Sequence, residues 1–203
     1  MVNFIIYSDF DGTITKYDTL DKIVTDVYSY STYKQLENAL LSNQITFENY
    51  LSKFNGIKYD IHNLTDSIDE TFKSFYEWIQ FNHIDFYIIS SGFKTIIQNT
   101  LPYVDPLLIY SNDFTYNDDQ TWKVKLYDTM SIQKTEIIEL HQKPGYTSIY
   151  LGDGLSDFKV MGKVDHLFCK KDSLLHHKCI LENFPHHVFR DFTDILDFLN
   201  TNI

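Results

Sequence analysis

Three short apolar runs constrain the fold of this chain more than any other feature. Phe4-Ile5-Ile6-Tyr7, Phe86-Tyr87-Ile88-Ile89 and residues 147–151 each lead within a few residues into a polar turn that contains glycine. Runs this short, rich in β-branched and aromatic residues, read as strands buried on both faces. Strands of that kind belong to parallel sheets whose faces are covered by helices. Helical periodicity follows the second run over 94–101 and the third over 155–161. The expected class is therefore α/β, a Rossmann-like, doubly wound parallel sheet.

One stretch interrupts the alternation. After Thr15, apolar residues recur at helical spacing: Leu20, Ile23, Val24 and Val27, then Leu36, Leu40 and Leu41, then Phe47, Tyr50, Leu51 and Phe54. A fourth series runs from Leu64 through Phe72, Phe75 and Ile79, and no strand pattern intervenes. The expected division is an α/β core made of residues 1–15 and 77–203 with an inserted all-helical unit at 16–76. Further strands are expected at 107–110, 166–169 and 187–189, with a hairpin over 113–128 turning at Asn117-Asp118-Asp119. Helices are expected over 132–141 and 193–199.

Composition narrows the function classes. The 203 residues are 43% hydrophobic, ample for a packed core. The formal charge of −11, from 17 basic and 28 acidic residues, argues against general binding to nucleic acid or anionic membranes. No run approaches the roughly 18 apolar residues of a membrane span, and the N-terminal apolar run is too short for a leader, so a cytoplasmic location is expected. Cys169 and Cys179 are too few for a disulfide scaffold and read as semi-buried thiols of a reducing compartment. His176-His177 and His186-His187 lack the i, i+4 spacing of a helical zinc motif and read as structural.

The turns carry the chemistry. Asp9 and Asp11 lie two residues apart at a strand exit, so their side chains share one side and repel unless a cation or proton intervenes. Parallel strands bring their C-terminal ends to one edge, where Asp9/Asp11, Ser90/Ser91 and Asp153/Asp157 converge. Asp9, Asp11 and Asp153 offer the hard oxygens that Mg²⁺ prefers, with Asp157 as a further ligand or a support for one. Ser90, with Ser91 and Gly92 opening a helix, forms a candidate phosphate site. Lys134, at the start of a helix, is the best-placed cation, with Lys123, Lys125 and Lys143 as rivals.

In this order the motifs resemble those of the haloacid-dehalogenase superfamily. The strand followed by Asp9-Phe10-Asp11-Gly12-Thr13 is similar to its D-x-D-G-T motif, and Ser90 to the residue ending its second strand. Lys134 matches its third-motif lysine, and Gly152-Asp153-Gly154-Leu155-Ser156-Asp157 its G-D-G-x-x-D. The helical insert resembles the C1-type cap of the phosphoserine-phosphatase-like branch. The resemblance implies a Mg²⁺-dependent phosphatase acting on a small phosphorylated metabolite. Asp9 would be the nucleophile and Asp11 the acid and base. Asp9, the Asp11 carbonyl and Asp153 would hold Mg²⁺ with support from Asp157, and Ser90 and Lys134 would bind the phosphoryl group.

The cap departs from the branch. Asp18 matches an acidic specificity position, but the arginine that binds the phosphoserine carboxylate is missing, because Arg190 is the only arginine in the chain. Phosphoserine is thereby demoted. Phosphocholine or phosphoethanolamine, a methionine-salvage keto phosphate and a vitamin phosphate stand beside it. The cap aromatics Tyr17, Tyr28, Tyr30, Tyr33, Phe47 and Tyr50 are expected mostly in the cap's own core, with an aromatic face near Asp18 as the alternative. The competing classes are a phosphorylation-dependent signalling or binding module and a catalytically silent relative. The helical insert argues against the first and the intact Asp9/Asp11 pair against the second.

Overall fold

The structure, a computed structural model, describes residues 3–127 and 133–202. Asp128 and Ile132, at the ends of the expected hairpin and helix, lie outside the described residues. The apolar runs form β1 (Asn3–Ser8), β2 (Asp85–Phe93) and β5 (Tyr146–Gly152), with β1 in the centre. With β3 (Ile109–Tyr116), β4 (Trp122–Lys125), β6 (His166–Lys170) and β7 (His187–Phe189) they make a seven-stranded sheet in the order β4-β3-β2-β1-β5-β6-β7. All neighbours are parallel except β3 and β4.

Register explains why the three turns meet. Ser8 pairs with Ile88 on one side and Leu151 on the other, so the three strands end at one level. The Asp9 amide donates to the Leu151 carbonyl at 2.8 Å and extends that ladder by a step. Alternation along β1 sends Phe4 and Ile6 into one apolar cluster and Ile5 and Tyr7 into another. The first cluster is closed by α4 (Phe72–Phe81), α5 (Lys94–Thr100) and α8 (Phe192–Asn202). The second is closed by α6 (Lys134–His141), α7 (Leu174–Leu181) and a 3₁₀ turn at Leu155–Val160. Each fully buried phenylalanine, such as Phe72, Phe75 and Phe192, contributes about 1.5–3 kcal/mol of apolar burial.

The insert holds α1 (Thr19–Val27), α2 (Tyr30–Leu41), α3 (Phe47–Leu51) and short 3₁₀ turns. It joins the core through two antiparallel passes, where the Lys16 amide donates to Ser67 at 2.7 Å and the Asp69 amide to Ile14 at 2.9 Å. It is docked on the core: Leu20, Ile23, Tyr50 and Phe54 enter the first cluster, and Phe54 meets Phe93 edge-on at 5.4 Å. Helix α4 lies on the sheet, with Phe72 against Phe192 at 5.0 Å, so the boundary read from periodicity at 76/77 falls inside this helix. Periodicity registers a helix but not the surface it covers.

Several local expectations change. Strand β2 continues through Ser90, Ser91 and Gly92 to Phe93 with a bulge, so α5 opens only at Lys94. Ser91 and Gly92 therefore open no helix. The N-terminus of α5 is occupied by Asp113, whose Oδ1 accepts from the Thr95 amide at 3.0 Å and hydroxyl at 2.7 Å. The strand expected at 107–110 starts at Ile109, because Pro106–Leu108 forms a 3₁₀ turn capped by Asp105. Residues 155–160 are 3₁₀ rather than α. Cys169 and Cys179 are fully buried, with sulfurs 3.7 Å apart on β6 and α7. Among the described residues no helix is long and apolar enough to cross a membrane.

Candidate active site

At the common strand edge, Lys134 is the hub. The residue is 4% exposed, and its ammonium lies 2.7 Å from Asp9 Oδ2 and 2.6 Å from Asp157 Oδ1. Asp157 is completely buried and fully engaged. Its Oδ1 also accepts from the Tyr150 hydroxyl at 2.5 Å, and its Oδ2 from the amides of Asp153 and Gly154, both at 2.9 Å. Asp157 thus folds the turn that presents Asp153. Thr13 fixes the Asp153 side chain through a 2.9 Å hydrogen bond to Oδ1, and the Asp153 carbonyl accepts from Leu175 at the head of α7. Gly12 lies beneath with φ at +72°, and a Cβ there would run into the Asp153 carboxylate. One oxygen each of Asp9, Asp153 and Asp157 falls within 4.8 Å of the others.

Asp11 faces the other way, toward the cap. Its Oδ1 accepts from both the amide and the hydroxyl of Thr19, the first residue of α1. Its Oδ2 is 3.4 Å from the Ser90 hydroxyl, which in turn accepts from the Gly92 amide at 2.9 Å. A Cβ on Gly92 would press on Asp11 Oδ2, so the bulge in β2 needs glycine there. Ser91 and Gly92 line the cavity, while Ser90 is buried behind them. Asp18 caps α1 by accepting from the amides of Leu20 at 2.8 Å and Asp21 at 3.0 Å, and its side chain also lines the cavity.

The electrostatics reflect burial and crowding. Burial pushes the Asp9 carboxyl up to about 7; Lys134 opposes this and Asp157 adds to it. Burial, then Asp18, push Asp11 to about 7 against the hydrogen bonds from Thr19. Asp153 is raised well above the carboxylate range by burial and then by Asp9 and Asp157. Burial alone would lower Lys134, but Asp157 and Asp9 hold it above its ordinary value. Negative charge at this edge exceeds the single ammonium, and the donors are all oxygen. That set fits a hard divalent cation and lacks the nitrogen and sulfur ligands that select zinc.

Above the floor opens a cavity of about 470 Å³ between core and cap. The structure brings Asp9, Asp11, Asp18, Ser91, Gly92, Lys134 and Asp153 to its wall, with Ser90 and Asp157 buried just behind. The rival lysines lie elsewhere: Lys123 and Lys125 are on β4, and Lys143 pairs with Asp85 at 2.5 Å. Of the cap aromatics, Phe47 and Tyr50 reach the cavity, while Tyr28 and Tyr30 are exposed. Thr19, Tyr150 and Asp21 escaped the sequence reading. A threonine behind a helix-capping aspartate and a tyrosine within a strand carry no local signal, because Thr19 meets Asp11 and Tyr150 meets Asp157 only once the intervening turns have folded. Asp21 is masked by the favourable role of any acid in a first helical turn.

Comparison with known proteins agrees with this geometry. No family model matches the chain. It is 28% identical to Pdp3-interacting factor 1 of Schizosaccharomyces pombe, over 94% of this chain and 92% of that protein. It is 27% identical to the polyol phosphate phosphatase PYP1 of Saccharomyces cerevisiae, over 97% and 92% respectively. Among solved structures, a phosphoserine phosphohydrolase-like protein from Francisella tularensis superposes with a TM-score of 0.74 at 19% identity, over 98% of this chain and 99% of that one. The fold is a capped, mostly parallel α/β core with its polar residues gathered at one strand edge. In sequence the chain is similar to phosphatases of small metabolites, and in fold to phosphoserine phosphatases, the likeness that its haloacid-dehalogenase-type motifs imply.

Proposed function

We propose that this protein is a cytoplasmic, Mg²⁺-dependent phosphomonoesterase that cleaves a small phosphorylated metabolite through an aspartyl-phosphate. The observation carrying the proposal is Lys134, held between Asp9 and Asp157 with Asp9 open to the cavity and Asp11 across from it. Lys134 opposes the effect of burial on Asp9 and so favours its anionic form. Asp9 attacks phosphorus, the phosphorus–oxygen bond to the alcohol breaks, and Asp11 gives its proton to the departing oxygen. Asp11 then takes a proton from water, which attacks the aspartyl-phosphate and releases phosphate with Asp9 restored. A carboxyl near 7 suits both roles at neutral pH.

Asp9, Asp153 and the Asp11 carbonyl would hold Mg²⁺, which supplies charge neutralisation at the phosphoryl oxygens. The four donors on Asp157 argue for support rather than direct ligation. Ser91, Gly92 and Lys134 would receive the phosphoryl group, joined by Ser90 when Asp11 releases its hydroxyl. The yeast relative is named for polyol phosphates, which supports an ester of a small hydroxylated alcohol. Phosphoserine is disfavoured by Arg190, which pairs with Asp194 at 2.8 Å outside the cavity lining. Hydrolysis of p-nitrophenyl phosphate that requires Mg²⁺ and is lost in Asp9→Asn is the expected result. Turnover that survives in Asp9→Asn would overturn the mechanism.

A further inference from the structure

The cap side of the cavity carries more negative charge than the Asp18 position alone announces. Asp18 and Asp21 at the start of α1 and Glu37 on α2 line it, together with Phe47 and Tyr50. The Tyr50 hydroxyl donates to Asp21 Oδ1 at 3.3 Å and the Tyr33 hydroxyl to Glu37 Oε1 at 2.8 Å, so these carboxylates are held in place. Lys34 offsets Glu37 at 2.6 Å, but Asp18 and Asp21 make no ion pair among the described residues. Besides Lys134, Lys159 is the only cation lining the cavity among the described residues, and its ammonium is 3.4 Å from Gln133, which adjoins Lys134.

We propose that Asp21, with Asp18, is a charge filter: the cavity takes phosphate esters whose alcohol carries hydroxyl or ammonium donors and rejects those bearing a second anion. This rests on the phosphatase reading above and adds what decides its substrate. A phosphate ester is itself anionic, and the floor receives that end. The rest of the substrate then faces the carboxylates that line the cavity. Like charges juxtaposed there are strongly disfavoured, whereas a hydroxyl or ammonium finds acceptors. The apolar parts of Phe47 and Tyr50 pack against the intervening carbons.

The filter is read at pH 8 with Mg²⁺ present, using glycerol 3-phosphate and erythritol 4-phosphate against phosphoglycolate and 3-phosphoglycerate. In the wild-type protein kcat/KM is expected to favour the polyol esters at least tenfold. Asp21→Asn and Asp18→Asn keep size and, for Asp18, capping ability. Each is expected to narrow the ratio about tenfold by raising kcat/KM for the acid phosphates. Calorimetric binding of the same four esters to Asp9→Asn protein, with and without Asp21→Asn, reads the filter without turnover. Equal affinity for acid and polyol esters, or a ratio unmoved by Asp21→Asn, overturns the filter. Selective binding with no hydrolysis of any ester by the wild type overturns the phosphatase reading and leaves the filter standing.

Discussion

Replacing Lys134 with methionine keeps the length of the side chain and removes the cation shared by Asp9 and Asp157. At 2.7 and 2.6 Å, and with an effective dielectric constant near 20, each contact represents roughly 6 kcal/mol of gross attraction. Most of this is offset by the cost of taking the ammonium out of water. The variant escapes that cost but leaves two buried carboxylates facing each other, and breaking a buried pair from one side costs about 3–5 kcal/mol. For a chain of this size that lowers Tm by about 6–20 °C. The assay is thermal unfolding in EDTA at pH 8 and again at pH 5.5. At the lower pH Asp9, already displaced upward to about 7, takes a proton and the penalty shrinks. A Lys134→Met protein within 2 °C of wild type at pH 8, or one equally destabilised at both pH values, would refute the hub role of Lys134.

Two further expectations follow from the same geometry. Asp9 and Asp11 have folded-state values of about 7, above their ordinary 3.8, and Asp153 is raised as well. The folded protein therefore holds protons that the unfolded chain releases; the resulting stability is complete below the ordinary carboxylate range and is lost as pH rises through about 7. The urea midpoint of metal-free protein should fall from pH 5 to pH 8 and recover on adding Mg²⁺ at pH 8; a midpoint that rises over that interval contradicts it. Gly92→Ala, whose Cβ would displace Asp11 Oδ2, should lower kcat about tenfold or more while circular dichroism stays native, and an unchanged kcat would sever Asp11 from the proposed proton transfer.

Much of the site was legible because its chemistry is local in sequence. Asp9 and Asp11 flank one residue at the end of an apolar run, and Asp153 sits between two glycines at the end of another. Lys134 was legible by resemblance, since its own surroundings distinguish it little from Lys143. The helix begins at Lys94, where its periodicity starts, but Ser91-Gly92 does not open it: Ser-Gly after a strand looks like a helix start, whereas a bulge carries β2 on to Phe93. The boundary expected at 76/77 cuts α4 because Phe72 and Phe75 repeat at the same period as the cap residues before them. Periodicity gives the width of an apolar stripe and says nothing of which partner covers it.

By itself the sequence determined the alternating α/β core, the helical insertion after Thr15, and the set of carboxylates that must share one strand edge. Those follow from side-chain period and from the chirality and connectivity of parallel strands, which leave few alternatives. The tertiary structure alone decided that Asp11 rests on Thr19 of the cap, that Tyr150 and Lys134 saturate Asp157, and that Asp21 and Glu37 line the cavity. The Tyr150 and Lys134 contacts depend on how the turn after β5 folds against α6, and the others on where the cap meets the core. That meeting is set by packing of residues such as Phe54 on Phe93, and no spacing along the chain records it.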